Sequence, residues 1–222
     1  MHTEIIITED GSATLFVPEL NEHYHSIHGA VQESSHVFIK AGLHQLKTMT
    51  PVVLEIGFGT GLNALLTLME EDKFERIDYY GIELNPVGWD KIECLSYASF
   101  LKLEKGQKNQ FYQMHNSAWN VQFQLSSKFQ LSKIKASVLD YTFYNKYDLV
   151  YFDAFAPQIQ PELWEEKVFK KLFSVMKPGG ILVTYCAKGE VRRIMQRCGF
   201  TVERLPGPPG KREILRSTRY RY

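Results

Sequence analysis

Three glycines at alternate positions mark the part of the sequence where a binding function is easiest to predict. Gly57, Gly59 and Gly61 directly follow the apolar run Val52–Ile56. Glycine tolerates positive φ and has no Cβ, so this loop can turn sharply and let a ligand approach the main chain. A glycine-rich turn that enters a helix is typical of nucleotide binding, but GxGxG differs from the GxGxxG that seats a pyrophosphate.

Acidic residues accompany the apolar runs that indicate strands. Glu83 ends the second run roughly 20 residues past Gly61, the separation at which nucleotide-binding folds place a carboxylate on ribose hydroxyls. Asp140 and Asp153 follow later runs, and Glu55 lies inside the first. Ligands bind outside the carboxyl ends of strands in an open parallel sheet, so Glu83, Asp140 and Asp153 are predicted to converge with the glycines. Asp140, the acid after the third strand, could equally serve a helix cap or a turn.

Short apolar runs and helical periodicity predict the elements that must position these residues. Asp10-Gly11 between 5–8 and 14–17 indicates an N-terminal β-hairpin, and 31–46 is predicted to be helical. Residues 102–108 are predicted to form a polar loop, and Lys177-Pro178-Gly179-Gly180 a turn. The other predicted elements are strands 52–56, 78–84, 129–139, 147–152 and 181–185, helices 62–69, 161–176 and 190–198, and a closing hairpin of 201–205 and 213–219.

The length and composition fit one α/β domain. The chain has 222 residues, of which 44% are hydrophobic, enough for a substantial core. We expect residues 1–50 to form an extension of hairpin and helix, and residues 51–222 to form a Rossmann-like core. No apolar run approaches the ~20 residues of a membrane span, and the first residues lack a signal-peptide pattern. A soluble, cytoplasmic protein is therefore expected.

Charge is unevenly distributed along the sequence. From Lys188 to the end there are ten Lys or Arg against three Glu, or +7, whereas the whole chain carries +1. The C-terminal end is therefore a candidate surface for a polyanion, although such a run is also common on solvated faces. The three cysteines form no CxxC pair, and His23, His25 and His28 lack a completing carboxylate or thiol. No metal site or disulfide framework is predicted.

Several motifs, in this order and spacing, together resemble one family. They are GFGTGLN at 57–63, DAFAP at 153–157, PELW at 161–164, GEVRR at 189–193 and GPPGKREILR at 207–216, with DGSATLFVPELNEHYHSIHGA and HVFI nearer the N-terminus. The set is similar to the tRNA 5-aminomethyl-2-thiouridine methyltransferases, comprising the N-terminal domain of MnmC and the stand-alone MnmD. One departure is that Gln160 stands where the family's NPEMW motif has Asn, which leaves the role of Gln160 open.

The resemblance implies a class I methyltransferase fold dependent on S-adenosylmethionine (SAM), with a mostly parallel seven-stranded sheet, an N-terminal β-hairpin and an antiparallel C-terminal hairpin. The implied reaction moves a methyl group from SAM to the primary amine of 5-aminomethyl(-2-thio)uridine at the wobble position of tRNA. The implied partner is the tRNA anticodon stem-loop. The oxidase part of bifunctional members has no counterpart in the sequence, so other, upstream tRNA-modifying enzymes are expected to supply the aminomethyl group.

The resemblance also suggests roles for individual residues. Asp153 is the predicted catalytic residue, because a carboxylate can orient the substrate amine and accept its proton; contact with the SAM amino group is the alternative. His28 is a further candidate to line the site. The predicted SAM-binding residues are Glu55, Gly57, Gly59, Thr60, Gly61, Asn63, Glu83, Asp140 and Tyr24. The predicted substrate-binding residues are Phe155, Trp164, Arg192, Arg193, Lys211 and Arg212.

Two other classes of function stay open at this level. A small-molecule amine methyltransferase or an aminopropyltransferase of the spermidine synthase type would also favour an acid after the fourth strand. The basic C-terminal end disfavours a polycationic substrate. A binding module with a degenerate site is the second alternative, and the intact glycines and four acids disfavour it.

Overall fold

A small antiparallel sheet forms the N-terminal part of the computed structural model, which describes residues 2–220. Strand β1 (Glu4–Ile7) pairs with β2 (Ala13–Val17), which confirms the predicted hairpin, and β3 (Glu22–His23) adds to the other edge of β2. The turn is closed by Asp10, whose Oδ1 accepts the Ser12 N–H at 2.9 Å. This sheet leads the chain to the segment that carries Tyr24.

A short helical stretch follows and packs against the main sheet. Helix α1 (Ala30–Ser34) continues as a π-helical turn over Ser35–Lys40, and a 3₁₀ turn follows at Leu43–Gln45. The single helix predicted for 31–46 is therefore broken into three pieces. Phe38, from the π turn, is buried in the same hydrophobic cluster as Leu149 and Val183 of the sheet. The predicted division into an extension and a core stays a prediction, although this cluster draws on both.

The main sheet is mixed and has a parallel centre. Its strands are β4 (Val52–Ile56), β5 (Ile77–Glu83), β6 (Gln122–Gln124), β7 (Phe129–Lys135), β8 (Tyr147–Phe152), β9 (Met176–Thr184), β10 (Thr201–Pro206) and β11 (Glu213–Thr218). They lie in the order β10-β11-β9-β8-β4-β5-β7-β6. Strands β7, β5, β4, β8 and β9 pair in parallel, and β6, β10 and β11 pair antiparallel. The predicted count of seven strands was one too few, because the short edge strand β6 has no clear apolar alternation.

Helices cover both faces of the sheet. They are α2 (Leu62–Leu68), α3 (Trp89–Ile92), α4 (Tyr97–Phe100), α5 (Lys105–Asn116), α6 (Glu166–Val175) and α7 (Gly189–Arg197), with 3₁₀ turns at Glu71–Lys73, Glu93–Leu95 and Pro161–Trp164. Successive residues of a strand point to opposite faces, so Val53 and Leu54 enter two different hydrophobic clusters. Both faces of the parallel centre are therefore buried, which explains its continuous apolar runs.

Three local predictions were wrong. Strand β7 ends at Lys135, before the predicted end at 139. Residues 105–116 form α5 where a polar loop was expected for 102–108, and a capping box between Glu104 and Gln107 starts the helix. Residues 177–180 lie within β9, at an irregularity in its pairing with β8.

The order in which the chain adds strands to the sheet switches from one side of β4 to the other, and this switch point marks the candidate site. From β4 the chain continues to β5 and β7 on one side, and β8 then returns to the other side of β4. Such a switch point opens a crevice beyond the carboxyl ends of the two central strands. No helix within residues 2–220 is long and apolar enough to cross a membrane.

Candidate active site

A cavity of about 850 Å³ lies at the carboxyl ends of the parallel strands. Its lining brings together residues from both ends of the chain. Of the predicted site residues it includes Tyr24, Gly57, Gly59, Thr60, Asn63, Glu83, Asp153, Phe155, Lys211 and Arg212. The convergence predicted from the strand ends is therefore present for Gly57, Gly59, Glu83 and Asp153, but not for Asp140.

The glycine loop needs glycine at each of the three positions. Gly57, Gly59 and Gly61 have φ of 88°, 48° and 70°, in the left-handed region that side chains disfavour. A Cβ on Gly57 would lie 2.5 Å from the carbonyl oxygen of Asp153, so the first glycine lets the loops after β4 and β8 touch. A Cβ on Gly59 would lie 3.2 Å from the Tyr24 ring. The loop is thus a close-fitting cradle, as a bound nucleoside requires.

Glu83 is held at the end of β5 by main-chain hydrogen bonds. Its Oε2 accepts the Gly59 N–H at 3.0 Å, and its Oε1 accepts the Asn85 N–H at 2.8 Å. Burial raises the pKa of Glu83, and these main-chain donors oppose that shift. Each carboxylate oxygen retains a lone pair, so Glu83 can accept hydrogen bonds from a ribose diol inside the cavity.

Asn63 links the buried carboxyl group of Glu55 to the half-buried carboxyl group of Asp153. Its Nδ2 donates to Glu55 Oε1 at 2.9 Å and to Asp153 Oδ2 at 2.8 Å, and Tyr79 donates its hydroxyl to Glu55 Oε2 at 2.8 Å. Burial raises the pKa of Glu55 well above its usual value. Within the described residues, the buried Asn63 Oδ1 has no hydrogen-bond partner. It is therefore an unsatisfied acceptor in a side chain that lines the cavity.

Asp153 is the carboxyl group best placed for proton transfer. Burial raises its pKa to about 7, and the nearby Glu33 carboxylate adds to the increase, while the Asn63 hydrogen bond and the Lys211 ammonium oppose it. A carboxyl group with a pKa near neutrality can hold or release a proton at little cost at pH 7. Its position beside Gly57 places it against the glycine loop.

Two aromatic rings form part of the cavity wall. Tyr24 and Phe155 meet edge to face with ring centroids 5.2 Å apart. The Phe155 main chain is fixed from both sides, because its N–H donates to Gln160 Oε1 at 3.1 Å and its carbonyl accepts the Trp164 Nε1–H at 2.8 Å. Gln160 therefore has a defined role here. Trp164 is buried and outside the cavity lining, so it supports Phe155 rather than facing a substrate.

Lys211 and Glu33 form an ion pair that lines the cavity. The Lys211 ammonium also lies 4.0 Å from the centroid of the Tyr185 ring, and Tyr185 donates its hydroxyl to the Ala154 carbonyl at 2.8 Å. Glu33, Tyr185 and Gln160 were not among the predicted site residues. Glu33 is separated from Lys211 by 178 positions, and no local pattern indicates that contact.

Other predicted residues lie outside this cluster. Asp140 is exposed and absent from the cavity lining, because β7 ends early and the chain passes the rim at Ala136 and Leu139 instead. Glu55 lies below the lining and reaches it through Asn63. Arg192 and Arg193 lie on α7, outside the cavity, and Gly61 borders the His115 ring.

The three histidines near the N-terminus have separate environments. His23 stacks on Phe16 with centroids 4.6 Å apart, and His28 Nδ1 lies 2.9 Å from Glu9 Oε1. His25 is buried at the cavity wall, and burial lowers its pKa to about 4. No cluster of metal-ligating side chains occurs within residues 2–220. His28 lies against the Gly210 turn and is absent from the cavity lining.

Comparisons with known proteins agree with this geometry. Residues 99–220 match the sequence profile of a family described as S-adenosyl-L-methionine-dependent methyltransferase, more than half of the chain. The solved structure of MNMC2 from Aquifex aeolicus superposes with a TM-score of 0.75 at 22% identity, covering 97% of this chain and 70% of that one. This likeness shows the fold.

Curated relatives carry a more specific name. The tRNA 5-methylaminomethyl-2-thiouridine biosynthesis bifunctional protein MnmC of Leptospira interrogans is 31% identical, covering 95% of this chain and 34% of the relative. The protein of the same name from Polaromonas naphthalenivorans is 28% identical, covering 93% of this chain and 34% of the relative. The chain spans about a third of the length of the curated relatives it matches. The chain therefore belongs to the S-adenosyl-L-methionine-dependent methyltransferase family whose profile it matches, and it is similar to the MnmC proteins.

Proposed function

We propose that this enzyme transfers a methyl group from SAM to the primary amine of 5-aminomethyl(-2-thio)uridine at the wobble position of tRNA. The observation that carries the proposal is Asp153, a half-buried carboxyl group with a pKa of about 7 that lies against the glycine loop and lines the cavity. The name of the MnmC relatives concerns biosynthesis of the methylaminomethyl nucleoside, which is the product of this reaction.

SAM is the cofactor of this family, and the cavity contains groups that fit it. The absence of side chains at Gly57 and Gly59 would let the nucleoside of SAM approach the main chain closely. Glu83 would accept hydrogen bonds from the ribose hydroxyls. The unpartnered Asn63 Oδ1 would accept the ammonium of the methionine part, with Glu55 held behind it. Tyr24 would close over the loop, and Thr60 and Gly61 would support its turn into α2. Bound SAM supplies the electrophilic methyl group.

The substrate amine must lose a proton before it can attack. An alkylamine has a pKa near ~10.4 in water, so most of it is protonated at pH 7. We infer that the Asp153 carboxylate accepts a hydrogen bond from the substrate ammonium and takes up one of its protons, which frees the nitrogen lone pair and fixes its direction. The neutral amine then attacks, and the methylated product carries the positive charge as a secondary ammonium. Phe155 would pack against the uracil ring, and Tyr24 would limit the amine's freedom. Positioning supplies much of the acceleration in such a displacement.

Binding of tRNA would use the basic C-terminal part of the chain. Part of its charge is neutralised, since Arg197, Arg204 and Arg216 each pair with a glutamate. Within residues 2–220, Arg192, Arg193 and Arg212 have no acidic partner within 4.0 Å in the ion pairs observed. We propose that they contact phosphates of the anticodon stem-loop and that splayed bases add recognition.

A tRNA substrate would place the enzyme in the cytoplasm. The aminomethyl group on the uridine must be produced by an earlier reaction, one that attaches or uncovers a primary amine on carbon 5. We propose that separate upstream tRNA-modifying enzymes perform that step. Their product would be the direct substrate of this cavity.

Transfer of labelled methyl from SAM to tRNA tests the proposal. The substrate is tRNA from cells that lack this activity. After digestion the nucleosides are separated and their molecular masses are measured. We expect one added methyl group on the wobble aminomethyluridine, and none on tRNA whose wobble uridine lacks the amine. SAM binding without transfer to any tRNA would reject the tRNA assignment and favour a small-molecule amine as substrate.

A further inference from the structure

Lys211 makes contacts that differ from those of an exposed phosphate-binding lysine. Its ammonium pairs with Glu33, whose side chain is 8% exposed, and it lies 4.0 Å from the centroid of the Tyr185 ring. The Lys211 side chain is itself only 27% exposed, whereas the neighbouring Arg212 is exposed. The Lys211 ammonium is therefore already bound by an acidic and an aromatic side chain of the protein.

The Lys211–Glu33 pair joins two distant segments beside Asp153. Glu33 lies in α1, and its Oε2 accepts the Ser26 N–H at 2.8 Å, which ties the segment following Tyr24 to the helix. Lys211 lies in the turn between β10 and β11. Tyr185, under the Lys211 ammonium, donates its hydroxyl to the carbonyl of Ala154, the residue after Asp153. The pair thus contacts the support of the Asp153 loop.

Each element that packs around Asp153 contributes charged, titratable or hydrogen-bonding groups. Glu33 and Lys211 act from α1 and the C-terminal turn, and Asn63 donates a hydrogen bond from α2. The other groups that interact with Asp153 or with the ion pair are Glu55 on β4, Tyr79 on β5, Tyr185 and Cys186 after β9, and His25 at the cavity wall. Among them, Glu33 opposes ionisation of Asp153 and Lys211 favours it. The two members of the pair therefore have opposite effects on one carboxyl group.

We propose that Lys211 and Glu33 are positioning residues for methyl transfer: their ion pair supports the Asp153 loop and keeps two opposite charges balanced beside the Asp153 carboxylate. This inference rests on the proposed function, because it assigns Asp153 to the substrate amine. It removes Lys211 from the set of phosphate contacts and leaves Arg212 in that set.

Titration of the Asp153 carboxyl carbon by ¹³C NMR tests the charge effect without any reaction. Lys211→Met should raise the Asp153 pKa, and Glu33→Gln should lower it by a larger amount, because Glu33 has the larger effect. The double variant should lie between the two single variants, and Lys211→Arg should match wild type. Shifts of the same sign in both single variants, or no shift in either, would overturn the proposal.

The dependence of tRNA binding on salt separates positioning from phosphate contact. Each lost phosphate contact reduces the slope of log K against log[salt] by about 0.7–0.9. Arg212→Met, the matched control, should reduce the slope by that amount and leave the pH profile of methyl transfer in place. Lys211→Met should keep the slope and move the acid limb of the kcat profile to higher pH.

Failure of the proposed function gives a different result. If no tRNA is methylated, the pH profile cannot be measured but the NMR titration still tests the ion pair. If tRNA is methylated and Lys211→Met lowers the salt slope without moving the Asp153 pKa, Lys211 is a phosphate contact and the inference is wrong.

Discussion

Asn63 Nδ2 donates a hydrogen bond to Asp153 Oδ2 at 2.8 Å, across the gap between α2 and the loop after β8. The same nitrogen holds Glu55 at 2.9 Å. One amide therefore connects the helix that follows the glycine loop to the carboxyl group proposed to receive the substrate. This connection makes binding at the loop and chemistry at Asp153 depend on the same side chain.

Replacing Asn63 with Ala should affect both functions. The loss of the donor raises the pKa of Asp153, because this hydrogen bond lowers it, so the acid limb of the kcat profile should move to higher pH. SAM affinity should fall as well, since Oδ1 is lost. The buried Glu55 and the half-buried Asp153 each lose a partner, at a stability cost of about 1–3 kcal/mol. Asn116→Ala, which removes an exposed hydrogen bond to Tyr112, is the control and should change neither kinetic property.

Replacing Gly57 with Ala should weaken SAM binding more than the same substitution at a glycine outside the loop. The added methyl group would meet the Asp153 carbonyl at 2.5 Å with φ at +88°, and a non-glycine residue in that region costs roughly 1–3 kcal/mol. Calorimetric SAM affinity should fall by at least about tenfold. Gly106→Ala, with no atom within 4 Å of the new Cβ, should bind normally and gain up to about 1 kcal/mol in helix stability. Equal SAM affinity in Gly57→Ala and Gly106→Ala would contradict the requirement for glycine in the loop.

Asp153→Asn should lower the rate of methyl transfer and raise the stability of the fold at pH 8. The raised pKa means that the folded state binds this proton more tightly than the unfolded chain, whose value is about 3.9. Stability from this group is therefore complete below pH ~3.9 and lost as pH rises to about 7. The amide avoids that loss, so the variant should unfold at higher denaturant than wild type at pH 8, by on the order of 2 kcal/mol, and lose the advantage at pH 4. A destabilised variant at pH 8 would contradict the shift.

Trp164 and Phe155 should respond differently to substitution. Trp164→Phe removes the hydrogen bond to the Phe155 carbonyl and should cost about 1 kcal/mol of stability, with a small change in the KM for tRNA. Phe155→Ala removes a ring from the cavity wall and should raise that KM while leaving SAM affinity near wild type. A larger KM effect from Trp164→Phe would mean that the indole contacts substrate directly.

Local sequence signals were sufficient for part of this site. The glycine spacing and the acid at Glu83 come from one strand-turn-helix-strand unit, and Asp153 directly follows a clear apolar strand. These residues were predicted because their signal lies within a few neighbours. Asp140 was misplaced for a similar reason, since partial alternation past Lys135 extended a strand that ends there.

Long-range contacts were beyond prediction from the sequence. Glu33 lies in a short helix with no feature that marks it as part of a site, and its partner Lys211 is near the other end of the chain. Tyr185 and Gln160 act through main-chain atoms of the Asp153 loop, which no spacing rule indicates. The edge strand β6 was missed because three residues are too few to show alternation.

The most direct test of the account compares SAM affinity with the single-turnover rate of methyl transfer to aminomethyluridine-containing tRNA, for wild type and Asp153→Asn. The account predicts SAM affinity within a few-fold of wild type and a rate lower by roughly 10²–10⁴, the usual contribution of a proton acceptor. Weakened SAM binding with a normal rate at saturating SAM would instead place Asp153 on the cofactor's amino group and contradict its role toward the substrate amine.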